Sequence, residues 1–91
     1  TMQRNEILNY IKSVLYTEYK IVSNDVTLES NFIFDFNFNN SDFSLFLYKI
    51  ENHFKINIID ISIDSNINDL IIGIEEAMYF SGKKINKKFC Y

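Results

Sequence analysis

The chain has 91 residues, of which 47% are hydrophobic and none is proline, so it can fold as one domain around its own core rather than remain disordered. Its net charge of −3 hides an asymmetry, because all 12 acids lie in residues 1–82 while four of the nine bases are lysines within residues 83–91. An acidic body argues against nucleic acid as a partner, since phosphate affinity comes from clustered lysines and arginines.

A first amphipathic helix is predicted over about residues 3–19, because apolar side chains recur there at helical spacing, at Ile7, Ile11, Val14 and Leu15. Residues 20–40 follow as a long segment rich in Asn, Ser and Asp, which favour turns. Within it four phenylalanines alternate from position 32 to position 38, and this is the period of a strand. A lone strand is unstable and no second strand is evident, so we favour a loop that packs its own apolar residues across the helices.

A second helix is predicted to begin at Asn40–Asp42, with Asn40 or Ser41 as its N-cap, and to end near Phe54. Residues 55–63 are rich in isoleucine, a β-branched residue, and could form a strand. Because no partner strand is evident, they could instead form a short connecting turn or a helix of one to two turns.

The last helix is predicted to begin after Asn66, since Asn66 and Asp69 have the spacing of a capping box. Gly82 is predicted to cap its other end. The elements together predict an all-α fold: a bundle of three main helices plus a short connecting helix, with a long first loop. This domain is expected over residues 2–82, followed by a basic C-terminal tail over residues 83–91. We expect it to be a monomer.

Other classes of function find little support in the residues. No apolar run approaches the roughly 20 residues that a membrane span needs, and the start lacks the pattern of a signal peptide, so we expect a cytoplasmic protein. Cys90 and His53 are the only cysteine and histidine, and zinc or another bound metal is not expected. No set of nucleophile, base and orienting group is visible either, so we do not expect an enzyme.

Four short segments, in order along the chain, resemble the acyl carrier protein (phosphopantetheine-attachment) family. Residues 26–32 (VTLESNF) are similar to the pattern of the family's first loop, and residues 35–38 (DFNF) to its Asp-Leu-Gly-apolar stretch, with Asn37 in place of the glycine. Residues 50–58 (IENHFKINI) resemble the end of its second helix, and residues 66–70 (NINDL) the opening of its final helix. The resemblance implies an acyl-carrier-like bundle and a protein that does no chemistry itself.

In that family a serine at the start of the second helix, within Asp-Ser-Leu, carries 4′-phosphopantetheine. Counted without gaps, the corresponding position here is Asn40, whose amide cannot be modified in this way. Ser41 is the nearest hydroxyl and therefore the candidate attachment residue, although a shift of one residue turns a helical side chain by about 100°. Ser41 is otherwise an ordinary residue of a helix start.

The family also implies a partner-binding surface on the second helix, where acids steer basic enzymes. Asp42 and Glu51 retain this character, while Leu45 and Lys49 depart from it. We therefore predict a divergent, non-enzymatic interaction module that binds a partner protein or synthase enzymes through Asp42, Leu45, Lys49 and Glu51. The alternative is a functional acyl or peptidyl carrier with 4′-phosphopantetheine on Ser41, serving fatty-acid, lipid or natural-product (polyketide) synthesis.

Overall fold

Three α-helices form the regular structure of the chain, whose computed structural model describes the backbone of residues 2–90 and the side chains of residues 3–80. They are α1 (Met2–Tyr19), α2 (Asn40–Phe54) and α3 (Ile67–Cys90), and one turn of 3-10 helix covers Ser23–Asp25. In this part of the chain no strand forms, and only an isolated antiparallel bridge joins Asn31 to Asn66. The predicted all-α bundle of three helices with a long first loop is confirmed.

The core is built from one apolar stripe on each helix and from the phenylalanines of the first loop. The fully buried side chains are Ile7, Ile11 and Leu15 of α1, Phe46 and Ile50 of α2, Ile67, Leu70, Ile71 and Ile74 of α3, and Phe32 of the loop. The helical members recur every three or four residues, which places them on one face of each helix. A guanidinium at the edge of this core links α1 to α3, because Arg4 donates to Glu75 and to Asn68 at 3.2 Å each.

The long first loop packs its own aromatic residues into the core, as predicted. Phe32, Phe36 and Phe38 are buried, whereas Phe34 is 85% exposed. The chain turns back on itself here, because the Phe38 N–H donates to the Phe32 carbonyl at 2.9 Å. Asn37 makes this turn with a φ of 57°, the left-handed conformation that asparagine tolerates in place of glycine. The alternating phenylalanines therefore belong to a turn, not to a strand.

The predicted short connecting helix between the second and third helices is wrong, because residues 55–66 contain no helix. Lys55 and Asp60 both have a φ of 59°, which a right-handed helix cannot contain. The segment instead runs as an irregular connector whose partly buried isoleucines pack against the core, at Ile56, Ile58, Ile61 and Ile63. Among residues 2–90, a single short helical turn is present, and it lies earlier, in the first loop, at Ser23–Asp25.

Both later helices begin with the same reciprocal capping arrangement. At α3 the Asp69 N–H donates to the Asn66 side chain at 2.8 Å and the Asn66 N–H to Asp69 at 3.1 Å, as predicted. At α2 the cap is Asn39 rather than Asn40 or Ser41, because the Asp42 N–H donates to the Asn39 side chain at 2.8 Å. The predicted N-cap of α2 is therefore wrong, because the observed cap lies one residue before Asn40 and two before Ser41.

The predicted end of the third helix at Gly82 is also wrong, since the backbone of α3 continues to Cys90. A single glycine inside a helix costs about 1 kcal/mol relative to alanine and does not by itself end the helix. The side chains of residues 83–91, predicted to form a basic tail, lie outside the described residues.

The cap of α2 gives a direct test of how that helix begins. Replacing Asn39 with alanine should lower the free energy of unfolding by about 1 kcal/mol, because the Asp42 N–H loses its acceptor. The matched change Asn40→Ala removes an exposed side chain one residue later and should change it by less than about 0.5 kcal/mol. Urea unfolding followed by circular dichroism measures both, and the larger loss in Asn40→Ala would contradict this cap.

Candidate functional site

The start of α2 contains the two residues considered for phosphopantetheine attachment, Asn40 and Ser41. Asn40 and Ser41 are the first two residues after the Asn39 cap, and both are exposed. The Ser41 hydroxyl makes no hydrogen bond to any described residue. A hydroxyl in this place is accessible to another protein, and the positive end of the helix dipole favours a phosphate attached to it. Asn40, at the aligned carrier position, offers an amide instead.

Asp42, the third residue of the helix, accepts hydrogen bonds through both its side-chain carboxylate and its backbone carbonyl. Its carboxylate accepts from the Asn39 N–H at 3.1 Å, and its backbone carbonyl accepts from the Tyr19 hydroxyl at 3.2 Å. Burial raises the pKa of Tyr19, and the nearby carboxylates of Asp42 and Glu18 raise it further. Tyr19 therefore stays a neutral donor well above neutral pH and ties the end of α1 to the start of α2.

Glu51 and Lys49 are likewise engaged within the chain. The Glu51 carboxylate is half-buried and accepts from the Ile58 N–H at 2.9 Å, which holds the connector against α2. The Lys49 ammonium lies 3.8 Å from the Glu18 carboxylate of α1. An exposed pair of this kind contributes little stability, yet it draws the Lys49 side chain towards α1. Of the four residues predicted to bind a partner, three thus have contacts inside the molecule.

Leu45, the fourth of these residues, is 58% exposed and has an apolar neighbour that the sequence analysis missed. Tyr48 lies one turn later on the same face of α2 and is 60% exposed. Tyr48 also lines two surface grooves, one of about 730 Å³ between α1 and α2 and one of about 600 Å³ between α2 and α3. Its position off the apolar stripe of the helix was the available signal. The outer face of α2 is therefore apolar at its centre rather than acidic.

His53 makes aromatic contacts with α1 and with its own helix. Its exposed ring stacks on Tyr10 of α1, with ring centroids 3.6 Å apart and planes inclined by 10°, and it meets Phe54 edge to face. In the described part of the chain no group of three or more His, Cys, Asp and Glu side chains could hold a metal ion. Over the same residues, no helix has both the length and the apolar character needed to cross a membrane.

No family model matches the chain, and no curated protein matches it. The resemblance to acyl carrier proteins accordingly depends on four short segments of the sequence, at residues 26–32, 35–38, 50–58 and 66–70. The functional argument depends on the geometry of α2, where an exposed serine and an exposed apolar pair lie on the same helix.

Proposed function

We propose that this chain is an acyl-carrier-like interaction module without catalytic activity, which binds a partner protein through the outer face of α2. The observation that supports the proposal is the pair of Leu45 and Tyr48, which are 58% and 60% exposed and lie one helical turn apart. Neighbouring exposed apolar side chains mark contact surfaces, and tyrosine is enriched among the residues that dominate binding energy.

The charges of α2 support an apolar contact rather than electrostatic steering. Asp42 and Glu51 each satisfy a backbone N–H group of their own chain, so their carboxylates are held in place by the fold. A partner would therefore meet Leu45 and Tyr48 at the centre of the contact, with polar side chains such as Asn52 at its rim. Asn40 at the aligned carrier position supports a module that does not carry an acyl group.

A second candidate function is a carrier modified on Ser41 with 4′-phosphopantetheine, for lipid or natural-product synthesis. The observation that favours it is the exposed Ser41 hydroxyl, which has no hydrogen bond to a described residue and stands at the positive end of α2. Coenzyme A would supply the group, and the serine oxygen would form the new phosphoester bond as adenosine 3′,5′-bisphosphate leaves. The serine proton would pass to a base of the transferase.

A photocrosslinker tests whether the outer face of α2 binds a partner. We expect p-benzoylphenylalanine in place of Tyr48 to give one discrete crosslinked protein in the native cell. The same replacement of Tyr16, which is 57% exposed on α1, should give none, and it controls for exposure and for residue type. Leu45→Lys should abolish the product formed at position 48. No product at position 48, or the same product at both positions, would contradict the proposed contact face.

A further inference from the structure

The two grooves beside α2 differ in charge. The groove between α2 and α3 is lined by three carboxylates and one ammonium group, those of Glu51, Asp60, Glu76 and Lys55. The groove between α1 and α2 has one carboxylate, Glu18, and two ammonium groups, Lys49 and Lys55, together with His53. At neutral pH the first groove is therefore negative while the second carries a net positive charge. A ligand with positive charge is attracted to the α2–α3 groove and not to its neighbour.

The walls of the α2–α3 groove are apolar and accessible. Tyr48, Ile59 and Phe80 line it and are 60%, 70% and 58% exposed, and they come from α2, the connector and α3 in turn. The half-buried Ile56 and Ala77 also line it. Three large apolar side chains on three different elements, around one open groove of about 600 Å³, form a contact surface that nothing in the described chain covers.

We propose that the α2–α3 groove binds an amphipathic helical segment of a partner protein that has apolar residues along one face and lysine or arginine beside them. Helices bind in such grooves through apolar residues at positions i, i+3 or i+4 and i+7. The exposed carboxylates of Glu76 and Asp60 form ion pairs with the flanking basic residues of the bound helix. These ion pairs orient the helix in the groove and make its affinity depend on salt concentration. The groove shares Tyr48 with the proposed contact face of α2. Its other exposed apolar walls and its exposed carboxylates come from the connector and α3, so the inference does not rest on the contact of Leu45.

The chain itself contains one segment of similar chemistry, and this segment defines the competing occupant. Residues 83–91 hold four lysines together with Ile85 and Phe89. Binding of that segment from a second copy would make the groove a site of self-association. Sedimentation velocity of the full chain at increasing concentration separates the two cases. A monomer at every concentration supports a different partner, whereas a dimer that excludes an added basic peptide would overturn the proposal.

The binding test uses two synthetic amphipathic helical peptides with the same leucine face, one with lysine and one with glutamate on the polar face. We expect the lysine peptide to shift the amide resonances of Ile59, Ala77 and Phe80 in a saturable way, and to bind at least about tenfold more tightly than the glutamate peptide. The double variant Asp60→Asn, Glu76→Gln should weaken it about tenfold, and raised salt should weaken it as well.

Two control variants make the result specific to this groove. Glu6→Gln combined with Asp25→Asn removes the same number of exposed carboxylates from outside the groove, and the affinity should not change. Leu45→Ala should also leave it unchanged, so that a failure of the proposed α2 contact can be told from a failure of this groove. Equal weakening by both double variants, equal binding of both peptides, or shifts confined to Tyr10 and Leu45 would overturn the inference.

Discussion

Replacing Phe32 with alanine should lower the free energy of unfolding by about 3–5 kcal/mol. The ring is fully buried, and its centroid lies between 5.1 and 5.9 Å from those of its four aromatic neighbours, Phe36, Phe38, Phe43 and Phe46. Two of those neighbours belong to the first loop and two to α2, so the cavity would open where the loop packs on the helix. Because small domains are stable by about 5–15 kcal/mol, the variant should be marginally folded at best.

The same loop provides the matched control. Phe34 lies two residues away and is 85% exposed, so Phe34→Ala should change the free energy of unfolding by less than about 0.5 kcal/mol. Urea unfolding followed by circular dichroism compares the two variants with the unchanged chain. Similar decreases in the free energy of unfolding in both variants would contradict the described packing, in which Phe32 is buried and Phe34 is exposed. A decrease confined to Phe34→Ala would mean that Phe34 is the buried ring and Phe32 the exposed one.

The helices could be predicted because their determinants are local. Apolar residues at a period near 3.6 predicted all three helices, and the spacing of Asn66 and Asp69 predicted the cap of α3. The same Asn-x-x-Asp spacing joins Asn39 to Asp42 and would have predicted the cap of α2. The sequence alone does not single out Asn39 as the cap, because four consecutive residues, from Asn39 to Asp42, are all favourable at a helix start.

The connector and the polar surface of α2 could not be predicted because non-local contacts decide them. The left-handed conformation of Lys55 is unusual for lysine, and it is accompanied by the hydrogen bond from the Ile58 N–H to Glu51. In the sequence Glu51 has the pattern of a free surface acid. Only the folded chain brings the connector to its carboxylate, so neither the missing connecting helix nor the internal role of Glu51 follows from local patterns.

Grafting the Asp-Ser-Leu motif of acyl carrier proteins should convert the chain into a carrier. The changes are Asn39→Asp, Asn40→Ser and Ser41→Leu. Aspartate keeps a good N-cap at position 39, and the other two changes fall on exposed residues of the first turn. The new hydroxyl would stand at the first residue of α2, about 100° around the helix from the side chain of Ser41. If the bundle resembles an acyl carrier protein in shape, a promiscuous transferase should modify the graft at that hydroxyl.

Intact-mass spectrometry after incubation with coenzyme A and a promiscuous phosphopantetheinyl transferase tests the central claim most directly. The samples are the unchanged chain, Ser41→Ala and the triple graft, each shown to be folded by circular dichroism. An acyl-carrier-like module without its carrier serine predicts that the graft gains one phosphopantetheine and that the other two keep their mass. A gain in the unchanged chain that Ser41→Ala abolishes would instead make this protein a carrier on Ser41, and a folded graft that stays unmodified would contradict the acyl-carrier likeness itself.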